Sequence, residues 1–547
     1  MRRLPWLFLA LAVLSQPGRA AQSDLVREWP DTIPQGPELE AAGAVIGRIE
    51  VIAGDIFDPS IPSESGWLYR TANKLHINTR TKVLADQLLF KSGEPYVHRL
   101  VEETERILRG NDYLYDAVIV PRAYDGKTVD LEVRTRDTWT LNPGINFSRQ
   151  GGENETAISL EEKNLLGGGK KLAVGWSNDV DRESIDFDYF DPHFNHSWTR
   201  VGVTYSDADD GSTQALRVDR PFYALDTRRA GGVHLFVSER DETRYAYGEE
   251  VGKFEREKQF YEIFGGWSAG WQAGWVRRWT AGVTYDDNKY LPVADEPLAG
   301  PLPDDRKLVY PWLGFELVQD EFERRTNLDQ IDRTEDVLVG VRAGGRLGLA
   351  TEDIGADRDA WILSAYVQDG WDLRPGDSLF LGATVTGRVE SEGLRNAVLA
   401  AEARYYNQTS RRTKFFATVN GTVTEKLDED QQLTLGGDNG LRGYPLRYQA
   451  GTSSALLTLE QRYYTDWYPW RLFHVAGAVF FDAGRTWGTD VTGATSDGLL
   501  KDVGFGLRLG SSRAAFGNVI HIDLAFPLDG GDDIDSVQFV VETKAKF

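Results

Sequence analysis

The chain has 547 residues, 84 Asp and Glu against 61 Lys and Arg, a net charge of −23, and no cysteine. Disulfide frameworks and thiolate metal sites are excluded, and a polyanionic nucleic acid would be repelled. Hydrophobic residues make up 41%, with 16 Trp, 22 Tyr and 25 Phe, an aromatic content that suits the two interfacial girdles of a membrane barrel.

Residues 1–20 read as a cleaved signal peptide: Arg2 and Arg3, an apolar run over 4–14, and a small-x-small exit at Gly18-Arg19-Ala20. That run is too short to span a bilayer, and no later apolar run is long enough for a membrane helix. Any spanning therefore falls to strands. Residues 21–44, with Pro30, Pro34 and Pro37, read as a periplasmic linker.

Residues 45–136 read as a small α+β module. The pattern predicts a strand at 45–52, helices at 81–90 and 97–108, and strands at 113–120 and 128–134 around an Asp125-Gly126 turn. The range 137–547 reads as alternating strands, about 16 at roughly 25 residues per strand and loop. The acidic stretches 207–210 and 529–535 read as loops. The expected fold is an all-β transmembrane barrel of antiparallel strands behind one small α+β periplasmic domain, placed in a bacterial outer membrane.

The C-terminal strand alternates: Val537, Phe539, Val541 and Phe547 share one face, while Gln538, Glu542, Lys544 and Lys546 share the other. It ends on Phe547, an aromatic terminus read as a C-terminal strand signal. Counting back gives strands at 519–527, 502–510, 474–484 and 454–464, with 436–453 as the sixth outward loop. Parity sends Val475, Gly477, Val479, Phe481, Leu457 and Leu459 to lipid. Asp482 and Glu460 then face the lumen, where a charge avoids the few kcal/mol that mid-membrane lipid exposure costs. The loop reads L-G-G-D-N-G-L-R-G-Y-P over 435–445. Its glycines allow the chain to double back, and Arg442 is the cation expected to pair with Asp482, Glu460 or both.

Leu441-Arg442-Gly443-Tyr444 resembles the (V/L)RG(F/Y) signature of the outer membrane protein 85 superfamily. Phe480-Phe481-Asp482-Ala483-Gly484 resembles its FxDxG strand. Gly504-Phe505-Gly506 resembles the glycine-rich strand that follows, and Glu162-Lys163-Asn164-Leu165-Leu166-Gly167 its E-x-N-L-x-G segment. The resemblance implies that 45–136 is one POTRA-like domain, where BamA- and TamA-type members carry several. It also implies that Arg442, Gly443 and Tyr444 lock into the lumen against Asp482, with Glu460 as a second acid. The implied function is assembly, insertion or translocation at the outer membrane, without chemistry or cofactor. Implied partners are outer-membrane lipid, lipopolysaccharide, and client or secreted proteins at the POTRA edge and the barrel seam, with no nucleic acid and a monomeric barrel. The alternatives are a secretion transporter for one dedicated partner and a passive channel or structural barrel.

Three motifs point to chemistry and are set aside. Gly266-Trp267-Ser268-Ala269-Gly270 matches G-x-S-x-G but lies in strand-like sequence without an elbow. His193 and His196 lack further ligands at metal spacing. Gly436-Gly437 precedes no helix, so it is no phosphate loop.

Overall fold

The computed structural model describes residues 25 and 27–544, except 497, 516–518 and 532–533, together with all side chains in that range but those of 143–147. The expected signal peptide and Phe547 lie outside the described residues.

The N-terminal domain is a three-stranded sheet in the order β1 (Val45–Gly54), β3 (Thr128–Asp137), β2 (Leu114–Tyr124), with β1 parallel and β2 antiparallel to β3. Four helices join it: α1 (Gly36–Ala41), α2 (Trp67–Leu75), α3 (Thr81–Ala85) and α4 (His98–Arg109). The core gathers Leu39, Ile46, Leu84, Val101, Leu108, Ile119 and Val133. Ile33 and Leu39, in the span read as a linker, are buried in it. The helix expected over 81–90 stops at Ala85, and α2 was not anticipated. No residue of α2 is buried, so its sequence carries none of the inward periodicity that reveals α4.

The barrel opens with β4 (Leu141–Gln150), β5 (Glu153–Glu162), β6 (Lys171–Asn178), β7 (Glu183–Phe194), β8 (Thr199–Ala208) and β9 (Gly211–Arg220). It continues through β10 (Arg229–Ala246), β11 (Glu249–Gln272), β12 (Trp275–Pro292) and β13 (Arg306–Gln319). An inserted hairpin follows, β14 (Phe322–Thr326) with β15 (Thr334–Leu338). The wall resumes with β16 (Arg342–Ala350), β17 (Ala360–Arg374), β18 (Asp377–Glu390), β19 (Gly393–Ser410) and β20 (Thr413–Glu425). A long connection holds the short pair β21 (Leu433–Leu435) and β22 (Gln449–Gly451). The last five wall strands are β23 (Ser453–Tyr464), β24 (Phe473–Trp487), β25 (Leu500–Ser511), β26 (Val519–Pro527) and β27 (Gln538–Lys544).

Twenty strands close the cylinder, not the sixteen expected. The estimate failed because seven connections are only two residues long (151–152, 209–210, 247–248, 273–274, 375–376, 391–392 and 411–412). Gly151 and Gly152 make the first of them possible with φ of 56° and 90°. The stretch 207–210, read as a loop, is the end of β8 plus one such turn. The loop bearing Arg442 is accordingly the eighth connection at the end away from the N-terminal domain (the distal end), not the sixth.

Leu313, Ile263, Val479, Phe505 and Leu399 stand on the outer surface, each more than half exposed. Glu262, Arg278, Glu460, Asp482 and Arg508 alternate with such positions and are buried inside. This is the pattern of a cylinder with an apolar exterior and a polar interior. Val475, expected on the outside, is only 4% exposed. The 465–472 turn folds over it, with the Val475 N–H donating to the Trp467 carbonyl at 3.2 Å.

The closing edge differs from the rest of the wall. Among the described residues, β27 and β4 share one registered pair, Val541 with Arg149, while β26 and β27 share seven.

Candidate functional site

The connection after β20 doubles back into the lumen. The Gly437 N–H donates to the Pro445 carbonyl and the Leu441 N–H to the Gly436 carbonyl, both at 2.9 Å, which makes the return compact. Leu435, Leu441, Tyr444, Leu456 and Leu500 form an apolar collar around it.

Arg442 sits at the tip and is 4% exposed. Its Nε and Nη2 donate to the two oxygens of Asp482 at 2.7 and 3.1 Å. Its Nη1 donates to Glu460 Oε2 and Asp523 Oδ2, each at 3.2 Å. The guanidinium carbon lies 3.3 Å from the Phe480 ring centroid, a cation–π contact in a water-poor setting. A planar fork meets two carboxylate oxygens, an aromatic face and two further acids at once, which an ammonium does not.

The acids are themselves shared. Glu460 also accepts from Arg462 Nε and from Arg508 Nη2, both at 2.7 Å, and Arg508 Nη1 reaches Asp523. The Gly443 N–H donates to Asp502 at 3.1 Å. The Tyr444 hydroxyl lies 2.7 and 2.8 Å from the carbonyls of Lys501 and Asp529. Three guanidiniums therefore face four buried carboxylates. Such a cluster is fragile to truncation, because removing one member strands an ion in low dielectric.

The glycines have a steric reason. Phe480 pairs across the sheet with Gly504, and Gly506 with Asp523. A Cβ at 504 would run into the Phe480 ring, and one at 506 into the Asp523 carboxylate. Both inward-facing glycines thus clear the wall so that the ring and the acid reach the guanidinium. At Gly443 a Cβ would stand 2.7 Å from Asp502 Cβ, and at Gly484 2.8 Å from Leu435.

Asn164 and Gly167 lie elsewhere, in the β5–β6 turn facing the N-terminal domain (the proximal end). Asn164 donates to Thr79 Oγ1 at 2.8 Å and accepts from the Gly169 N–H at 2.7 Å, and the Gly167 carbonyl accepts from the Arg80 N–H at 3.0 Å. This segment docks the two domains and does not touch Arg442.

Sequence reasoning missed Asp502, Asp523, Arg462 and Arg508. Parity held the signal: Arg508 opposes Val503, Phe505 and Leu507 in facing direction, and Asp523 opposes Ile522 and Leu524. It also missed the β14–β15 hairpin, which fills the proximal mouth. On the barrel side, the Tyr406 hydroxyl donates to Asp329 at 2.9 Å, Arg462 Nη1 to the Leu328 carbonyl at 3.1 Å, and His474 pairs with Asp332 at 3.0 Å. On the domain side, Arg109 forms a two-point bond to Asp336, both at 2.7 Å, and the Tyr115 hydroxyl donates to the Asp332 carbonyl at 2.9 Å. Arg324 pairs with Glu105 at 2.5 Å. Within the hairpin, the Glu335 carboxylate accepts the N–H groups of Leu328 and Asp329, both at 2.8 Å. Burial pushes that carboxyl up to about 7, against the pull of the backbone N–H donors of Asp329, Leu328 and Gln330.

The motifs set aside show no reactive geometry. The Ser268 hydroxyl, inside β11, donates to the Arg277 carbonyl at 2.7 Å. His196, in the β7–β8 turn, pairs with Asp86 at 2.8 Å. His521, Asp523 and Glu542 converge closely enough to hold a cation. Asp523, however, already serves Arg442 and Arg508, and Glu542 serves Gln150 and Lys544.

The class is a closed antiparallel β-barrel of bacterial outer-membrane type, with an arginine-tipped loop folded into it. Residues 375–544, the stretch that holds Arg442 and every one of its partners, match the Omp85 superfamily domain. In fold the chain is similar to BamA from Haemophilus ducreyi lacking POTRA domains 1–3, at 13% identity and a TM-score of 0.38, covering 91% of this chain and 84% of that one. It is similar to CdiB from Escherichia coli at 13% identity and a TM-score of 0.48, covering 92% and 76%. It is similar to CdiB from Acinetobacter baumannii at 12% and 0.45, covering 91% and 73%. No curated protein matches the sequence.

Proposed function

We propose that this chain is a non-enzymatic outer-membrane factor that inserts, assembles or translocates protein or lipid clients, with its N-terminal domain a single POTRA-type module in the periplasm. The observation that carries the reading is the closing edge, where among the described residues one registered pair joins β27 to β4, against seven between β26 and β27. In this reading, a lightly paired edge can open and offer backbone donors and acceptors to an incoming strand. The edge strand β1 of the N-terminal domain, half-exposed along most of its length, offers a second docking edge. The Arg442 cluster sits on β23 to β26, directly beside the seam. In this reading it holds that half of the wall rigid while the seam works.

Insertion or translocation is favoured over a passive channel because the lumen is occupied from both ends, by the Arg442 loop distally and by the β14–β15 hairpin proximally. The test uses the absence of native cysteine. Arg149→Cys with Val541→Cys staples the seam. A photo-crosslinker at Ser148 is expected to capture a client in cells when the staple is reduced and none when it is oxidised. Equal capture in both states, or steady client-independent conductance in planar bilayers, would overturn the reading.

A further inference from the structure

Helix α2 is built the wrong way round for a soluble domain. It packs inward through Tyr69 and Asn73, four residues apart: the Tyr69 ring lies 4.7 Å from Phe57, and the Asn73 side chain bonds the Phe57 backbone. The opposite arc carries Trp67, Leu68 and Leu75, with Ile77 just beyond the helix. These are 73%, 52%, 70% and 54% exposed. Arg70 and Lys74 border that arc, and both are exposed.

The helix also has a fixed place. The Tyr69 hydroxyl donates to the Trp470 carbonyl at 3.4 Å, in the β23–β24 turn whose Trp467 and Trp470 are 60% and 71% exposed. The segment after α2 is bonded to the β5–β6 turn through Arg80 and Gly167, where Leu166 is 61% exposed. In the barrel order these two turns flank β25, β26, β27 and β4. The helix therefore lies beneath the seam, and its apolar arc continues the aromatic and aliphatic rim of the barrel's outer surface.

We propose that α2 is an interfacial helix that seats Trp67, Leu68 and Leu75 in the phospholipid leaflet at the proximal end of the seam, with Arg70 and Lys74 at the headgroups. This rests on the outer-membrane reading above. Lipid is the occupant because the arc is continuous with the surface that lipid must already cover, and because aromatic and aliphatic residues bordered by cationic ones are the composition of helices that lie in an interface. A nine-residue helix spans about 13 Å, enough to underlie several strands and to perturb lipid packing where a client would enter.

The test is depth-dependent quenching on the full chain in vesicles of phosphatidylethanolamine and phosphatidylglycerol. Single cysteines carrying a polarity-sensitive fluorophore are placed by Leu68→Cys and Leu75→Cys in α2. Lys127→Cys, in the β2–β3 turn far from the barrel, is the aqueous control, and Leu313→Cys, on the barrel exterior, is the membrane reference. Labels at 68, 75 and 313 are expected to be quenched by nitroxide on the lipid chain and shielded from iodide, with 127 the reverse. Lipid quenching at 313 but iodide quenching at 68 and 75 would overturn the inference and leave an open surface suited to a protein. Iodide quenching at 313 would instead overturn the membrane reading beneath it. Leu68→Glu with Leu75→Glu is expected to fold, since neither residue is buried, and to lose the lipid quenching of a label at Ile77→Cys. Retained quenching there would also count against it.

Discussion

Two segments enter the same lumen from opposite ends, and they are held by different physics. The distal loop is fixed by the barrel alone: Arg442 bonds directly to acids from β23, β24 and β26. The proximal hairpin is fixed half by the wall, through Tyr406 and His474, and half by the N-terminal domain, through Arg109 and Tyr115. The first is a property of the cylinder, and the second responds to where the domain stands. Arg462 touches both, with Nε on Glu460 and Nη1 on the Leu328 carbonyl. A shift of the hairpin therefore has a direct path to the charge cluster.

The sharpest way to break the contrast is to remove the distal anchor. Arg442→Ala is expected to cost about 3–5 kcal/mol, because it leaves Asp482 and its neighbours buried without their cation. Thermal unfolding in detergent and heat resistance on a semi-native gel read this directly. Arg442→Lys is expected to recover only part, since an ammonium lacks the fork. Next in size is Arg109→Ala, which removes the two-point charge-assisted pairing with Asp336, worth about 1.5–3 kcal/mol in all. Amide exchange is expected to rise in β14 and β15 while β23 and β24 stay protected. Equal loosening of both segments would show that the distal loop also depends on the domain.

A pH series sharpens the comparison further. The Glu335 carboxyl is raised from 4.5 to about 7 in the folded hairpin, mainly by burial. Its contribution is complete below the unfolded value and is lost as pH rises through the folded one. Hairpin protection should therefore be greatest below about pH 4.5 and fall through pH 7. Glu335→Gln should flatten that dependence without moving the Arg442 cluster. The smallest effect belongs to Phe480→Leu, which removes the aromatic face under Arg442. It is expected to cost about 0.5–2 kcal/mol beyond the change in packing, measured as a shift in unfolding midpoint.

The distal loop was legible because strand parity is a strict two-residue rule, and because glycines crowd a short stretch around one arginine. The same rule, carried one strand further to β25 and then to β26, contained Arg508 and Asp523. The strand number was not legible: two-residue turns such as 273–274 and 411–412 leave too little sequence between strands to separate them. The hairpin was hidden for another reason. Its stretch 322–338 is short and polar, and its order comes from contacts with residues more than 100 positions away, such as Arg109 and Arg462. Helix α2 was hidden because its apolar arc faces away from every other element.

The account rests on Arg442 and Asp482 acting as one buried unit. The most direct measurement is a double-mutant cycle, Arg442→Ala and Asp482→Ala singly and together, on thermal unfolding of the full chain. The account predicts strong non-additivity, with the double variant about as stable as the worse single one and a coupling of up to ~3 kcal/mol. Additive losses, with each substitution acting as though the other residue were absent, would contradict it.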